Sequence, residues 1–219
     1  LVGSEMCIRD RRNTAEIAML GLLIGIVFGT VIATTRVIPR TNPVAKFFNG
    51  LSGLYVGLFR GTPIVVQLLV FYYVLMPLMN LHMNSVAVAV VVFGMNSAAY
   101  ISEIMRAGIL SVDSGQMEGG RAIGLSYATT MMKIVIPQAV KNILPTLGNE
   151  FISLIKETSV VSFVGAMDLY VAFNRIGSNS YEFMIPYLVM ALIYIVIVLV
   201  ITLGIKLMER SLRKSDKSI

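Results

Sequence analysis

Six side chains have the types and spacing to handle a charged solute inside an apolar chain. Asn96, Tyr100 and Glu103 stand at i, i+4 and i+7, so a helix carries all three on one face. Glu150 and Glu157 stand seven apart, again on one face, with Lys156 beside them. Ionisable groups in membrane-length segments are costly and mark solute paths or buried pairs. Two such faces on neighbouring helices would enclose an aqueous cavity at membrane depth. An amino-acid zwitterion suits it. Lys156 would meet the carboxylate as a charge-assisted partner, and Glu150, Glu157 or Glu103 would take the ammonium. Carboxylates outnumber the lysine, so the site leans towards a polar or cationic solute. The plainer readings are an interfacial Glu103–Arg106 pair and mutual neutralisation of Glu150 and Lys156. Gln67 suits either a cavity wall or helix packing.

A second segment has a different chemistry. Glu118-Gly119-Gly120-Arg121-Ala122-Ile123-Gly124-Leu125, followed by Ile136-Pro137-Gln138-Ala139, is short, polar and glycine-containing between long apolar runs. Such a segment is poor at spanning a membrane and good at docking. The chain has no G-x-x-x-x-G-K-[ST] phosphate-binding loop, no zinc ligand set, no G-x-S-x-G and no Cys/His pairing. No catalytic residue and no metal ligand is expected. The single Cys7 excludes an internal disulfide. The single His82 sits in a short polar connection and reads as a solvated residue.

The elements that position these residues are apolar helices. The chain has 219 residues, of which 56% are hydrophobic and only 14% charged, against about 25% charged in soluble domains. Mean hydropathy is +0.80. Several runs reach the roughly 18 residues that cross a hydrocarbon core. The pattern predicts one all-α transmembrane domain over 14–209, with about five spans. They run near 14–35, 63–79, 85–107, 141–163 and 183–206. Gly21, Gly25 and Gly29 at spacing four would let another helix approach the first span closely. Residues 42–59 read as an interfacial amphipathic helix, closed by Arg60-Gly61-Thr62-Pro63. Residues 108–136 read as a loop and 165–182 as a polar connection. Residues 1–13, with Arg9, Arg11 and Arg12, read as a basic, non-native tail outside the fold, and 210–219 as a basic cytoplasmic tail.

Lysine and arginine cluster after the first, third and fifth spans, whereas the connections after the second and fourth carry only Arg175. That asymmetry places the amino terminus outside and the carboxyl terminus in the cytoplasm, with Arg36 and Arg40 ending the first span inside. The net charge of +6 then reflects loops facing anionic lipid rather than nucleic acid.

Four motifs in order carry a family resemblance over nearly the whole chain after Thr14. Arg60-Gly61-Thr62-Pro63 with Gln67 resembles the R-G-T-P…Q signature of amino-acid ABC importer permeases. The run from Asn96 to Ile109 is similar to that family's N-S-x-A-Y-x-x-E-x-x-R-x-G-I. Gly115-Gln116-Met117-Glu118 leads into a segment like its cytoplasmic coupling loop, and Lys156-Glu157-Thr158-Ser159 looks like its K-[DE]-T-S segment. The resemblance, to the histidine, glutamine and arginine type among type I importers, implies a bacterial inner-membrane permease. Its coupling helix, Glu118 through Leu125, would seat in an ATPase subunit through Glu118, Gly119, Gly120, Arg121, Ala122, Gly124 and Leu125. It implies ATP and Mg on that separate ATPase dimer and no cofactor in this chain. The further partners it implies are a second copy or sister permease and an extracytoplasmic amino-acid-binding protein. Where the family has two alanines this chain has Gly119 and Gly120, which weakens the helix by about 1 kcal/mol per position. An ion- or proton-coupled secondary transporter would use the same carboxylates, but it would show internal repeats of spans. A non-transporting scaffold subunit would need the charges only as structural pairs.

Overall fold

The computed structural model describes the backbone of residues 2–38 and 43–216 and the side chains of 13–38 and 43–212. Arg40 lies outside the described residues, as do the side chains of Cys7, Arg9, Arg11 and Arg12. Among the described residues the chain is helical, without strands. The helices are α1 (Val2–Val37), α2 (Pro43–Gly61), α3 (Ile64–Leu78), α4 (Ser85–Leu110), α5 (Ser114–Ala122), α6 (Tyr127–Val164), α7 (Leu169–Ser180) and α8 (Met184–Asp216). Asn13–Val37 of α1, all of α4 and Met184–Leu212 of α8 are each long and apolar enough to cross a membrane. α2 and α3 meet at 105° and α6 and α7 at 57°, and counting each bent pair as one span gives five. The backbone of the amino-terminal segment expected outside the fold continues into α1.

α1 and α4 form the centre of the bundle, and glycine explains how. Gly21 faces Phe93, Gly25 faces Ser97, and Gly29 faces Ala98 and Ile101. The partners advance together, so the two helices run side by side in the same direction. A Cβ on Gly25 would lie 2.6 Å from the Ser97 Oγ, and one on Gly94 would lie 2.5 Å from the Ile24 Cγ2. The helices therefore touch backbone to side chain from both sides, as the spacing of four predicts. Around this contact Ile17, Leu68, Val92, Phe93, Leu154 and Val161 are fully buried.

Proline marks the break between α2 and α3, whereas α6 ends at Gly165, with φ +73°. Pro63 has the extended backbone (φ −63°, ψ 139°) that closes α2 and opens α3. Pro77 and Pro137 stay inside helices, each preceded by a widened π turn, Phe71–Leu75 and Met131–Val135. The wider turn accommodates the proline ring and its missing N–H without ending the helix.

Three sequence expectations are corrected. The loop expected over 108–136 is mostly helix, and α6 starts at Tyr127 rather than near Lys141. Ser126 starts it by accepting from the Thr129 amide at 3.1 Å. Hydropathy averages along the chain, and the apolar run at the start of α6 is interrupted by Lys133, Pro137, Gln138, Lys141 and Asn142. The polar connection over 165–182 contains α7, capped by Asp168 accepting from the Val171 amide at 3.0 Å. Leu169, Phe173 and Gly177 form its buried stripe, too sparse to register as an apolar run. Finally, the helix in the segment expected to dock is Ser114–Ala122 rather than 118–125. Asp113 caps it, accepting from Gly115 at 2.7 Å. Gly124, with φ +88°, takes the left-handed turn that ends it. The Gly124 and Leu125 amides donate to Arg121 and Gly120 at 3.1 Å each, a Schellman closure. Gly124 and Leu125 are thus the stop of the helix, not part of it.

Candidate functional site

The helix α5 is held from one side and open on the other. Gly120 is buried: a Cβ there would lie 2.5 Å from the Thr130 Cγ2 and 2.9 Å from its Oγ1. Gly119 faces open space. The Gln138 amide donates to Gln116 at 3.3 Å, and Arg121 donates to the Leu125 carbonyl at 3.0 Å. α5 therefore rests on the first turns of α6. Glu118, Gly119, Arg121, Ala122 and Gly124 are exposed, with Ile123 at 76% exposure beside them. Ile123 thus stands exposed among charged and small residues at the end of a short helix.

A polar path leads from this end into the bundle between α4 and α6. The Asn142 amide donates to Ser111 at 2.9 Å. Asn142, Thr146 and Glu150 then follow at successive turns of α6, and the Ser97 hydroxyl donates to Glu150 at 3.3 Å. A groove of about 450 Å³ opens along this path, lined by Arg60, Glu103, Ile104, Ser111, Asn142 and Thr146 among others. Glu103 is the shared partner of Arg36 from α1 and of Arg106, the latter at 2.9 Å. The Arg60 guanidinium stands 5.3 Å from the centre of the Tyr100 ring.

The six predicted residues are thereby divided. Glu103 lines the groove and Tyr100 lies under Arg60 at its edge. Glu150 adjoins the path, and its partner is Ser97 rather than Lys156. Exposed Lys156 and half-buried Glu157 lie further along α6. Asn96 is buried and turned away from the groove, donating to the Gln67 side chain at 3.0 Å and to the Phe59 carbonyl at 3.4 Å.

That last contact belongs to the elbow between α2 and α3. The Gln67 amide donates to the Phe59 carbonyl at 2.8 Å, the Thr62 carbonyl at 3.0 Å and the Thr62 hydroxyl at 2.9 Å. The end of α2 leaves carbonyls without helical donors. Within a membrane only protein groups can satisfy them. Gln67 and Asn96 do so, and Gln67 is a packing residue rather than a cavity wall.

Sequence reasoning passed over Arg36, Arg60, Ser97, Ser111, Asn142 and Thr146. The spacing of Asn142, Thr146 and Glu150 at i, i+4 and i+8 was a legible signal. The others become neighbours only through helix packing.

Residues 17–214 match the family described as the binding-protein-dependent transport system inner membrane component. The arginine transport system permease protein ArtQ of Bacillus subtilis (strain 168) is 36% identical, covering 93% of this chain and 90% of that protein. The L-cystine transport system permease protein TcyB of the same organism is 35% identical, covering 91% of this chain and 83% of that protein. A crystal structure of an amino acid ABC transporter with histidines matches with a TM-score of 0.87 at 36% identity, covering 95% of this chain and 94% of that one. The inward-facing MetNI methionine ABC transporter shares the fold, with a TM-score of 0.80 at 18% identity over 95% of this chain and 97% of that one. The resemblance expected from the four motifs holds along the chain from its first apolar span to its last: the protein belongs to the inner-membrane permease components of binding-protein-dependent ABC transport systems, in which ATP is hydrolysed on a separate chain.

Proposed function

We propose that this permease carries polar amino acids, cationic ones foremost, along the path between α4 and α6. The observation that carries this reading is the half-buried carboxylate of Glu150 at the inner end of a ladder of neutral polar groups. Glu150 takes the cationic group of the solute, and Tyr100, Glu103 and Arg60 shape the groove that leads to it. Lys156 and Glu157 serve the farther end of the path. Asn96 acts on the solute only indirectly, by holding the elbow. The names of the relatives, among them arginine and cystine permeases, fit this solute class.

In this reading the segment Ser114–Leu125 docks in a groove of a partner ATPase dimer that holds ATP and Mg. Glu118, Gly119, Arg121 and Ala122 face the ATPase, Gly120 seats the helix on α6, and Gly124 and Leu125 close it. Closure of the dimer on ATP moves α5. Because α5 rests on α6, and the same helix carries Asn142, Thr146 and Glu150 beyond its π turn and Pro137, the displacement reaches the path along α6. ATP thus favours one of two states of the path. The permease pairs with a second copy or a sister chain, and an extracytoplasmic binding protein delivers the solute. The proposed single permease domain covers 14–209, and α1 and α8 run on through both of its boundaries, with the Asn13 amide donating to the Met167 carbonyl at 2.9 Å. The amino terminus faces outwards and the carboxyl terminus the cytoplasm. The clustering of lysine and arginine after the first, third and fifth spans supports this.

The test is uptake by proteoliposomes containing this chain with its ATPase and binding protein. ATP-dependent accumulation of arginine that survives collapse of ion gradients is the expected result. Accumulation that follows a proton or sodium gradient without ATP would instead establish a secondary transporter.

A further inference from the structure

Arg60 lines the groove as a cation without a carboxylate. Glu103, the acidic residue that lines the groove with it, is held by Arg36 and Arg106. Among the described residues Arg60 forms no ion pair. Its guanidinium contact is the face of the Tyr100 ring, 5.3 Å from the ring centre.

Depth makes this arrangement costly. α2 enters the bundle beside the end of α1, where the Thr35 and Ser52 hydroxyls meet at 2.7 Å. It then climbs along α4. Tyr55 donates to the Met95 carbonyl at 2.5 Å, and the Phe59 carbonyl accepts from Asn96 at 3.4 Å. Asn96 and Tyr100 stand in the middle turns of α4, a helix long enough to cross a membrane. Arg60 is thus carried to membrane depth, where a charge is expensive and marks a solute path or a paired partner.

Charge is divided unevenly along the path. Around the groove three guanidinia, Arg36, Arg60 and Arg106, meet the one carboxylate of Glu103. The inner end has the carboxylate of Glu150, one helical turn beyond Thr146, with Ser97 as its contact. Asn142 and Thr146, between the two ends, are neutral. A solute that bears both charges lies favourably with its negative end at Arg60 and its positive end at Glu150. The reverse order sets like charges together.

We infer that Arg60 receives the carboxylate of the transported amino acid and, with Glu150 at the inner end, fixes which way round the solute lies. A guanidinium offers a planar fork of N–H donors that matches a carboxylate, and Tyr100 supports that plane from one side. The inference rests on the transport reading of the path. It adds the group that distinguishes an amino acid from a simple amine.

The test is equilibrium binding to the complete permease–ATPase complex in lipid nanodiscs, without binding protein. The probes are arginine and agmatine, which is arginine without its carboxylate. The wild type should bind arginine about tenfold more tightly than agmatine, the weight of one charge-assisted contact. Arg60→Gln should bring arginine down to the level of agmatine while agmatine changes far less. Arg60→Lys keeps the charge and loses the fork, so it should restore part of the preference. Glu150→Gln should weaken both solutes together, because both carry the cation. Equal binding of the two solutes by the wild type, or equal weakening of both in Arg60→Gln, would overturn the role of Arg60 and leave the path through Glu150 standing. Unchanged binding in Glu150→Gln would sink the path reading itself, and the proposed orientation with it.

Discussion

Single polar side chains in this protein divide into those that hold the fold and those that face the path, and the division rests on where their hydrogen bonds go. Gln67 spends its amide on two backbone carbonyls and one hydroxyl at the α2–α3 elbow. Gln67→Leu keeps the bulk and leaves these acceptors bare, so it should cost about 1–3 kcal/mol, read as a lowered midpoint of unfolding in detergent. An unchanged midpoint would mean that the elbow is satisfied by other groups. Glu150 is the opposite case. Its contact is the Ser97 hydroxyl, which can donate equally to a glutamine. Glu150→Gln should therefore leave the fold intact while arginine uptake falls about tenfold, the value of one charge-assisted contact of ~1.5 kcal/mol. Uptake of a neutral amino acid should change far less. Equal loss for both solutes would make Glu150 a structural residue.

Among the elements, α5 shows how two adjacent glycines of identical chemistry acquire different roles. Gly120 lies against Thr130, where a Cβ has no room, whereas Gly119 has nothing within 4 Å. Gly119→Ala should stabilise the helix by up to about 1 kcal/mol and leave transport-coupled ATPase activity unchanged. Gly120→Leu should push α5 off α6 and uncouple ATP hydrolysis from solute, measured as ATPase activity no longer stimulated by loaded binding protein. Coupling retained in Gly120→Leu would show that α5 transmits movement without resting on α6. The same logic applies to Gly25 against Ser97 in the α1–α4 contact.

For the whole molecule the exposed face of α5 and the apolar exterior of the spans define what must cover it. Lipid meets the helices, and in the proposed function an ATPase meets the short charged helix. Glu118→Lys reverses a charge at the exposed docking face without touching the bundle. Co-purification of the ATPase with this chain should fall sharply in that variant, while the chain itself remains folded and membrane-inserted. Full retention of the ATPase would move the docking surface elsewhere.

The spans, the break at Pro63, the glycine contact of the first span and the four family motifs were legible in the sequence. Each depends on local chemistry: apolar run length, a missing N–H, a missing Cβ, a contiguous string of residues. The interrupted start of α6 and the sparse stripe of α7 were not, because hydropathy averages over residues that packing treats one by one. The sequence could also place Asn96, Tyr100 and Glu103 on one helix face, but a face spans a wide arc, and different neighbours meet different parts of it. Only the tertiary structure turned Asn96 to the elbow, gave Glu103 to Arg36 sixty-seven residues away and set Ser97 against Glu150. Those pairings arise from the close approach of whole helices, and no spacing along the chain encodes which residues of two distant helices will share a level in the membrane.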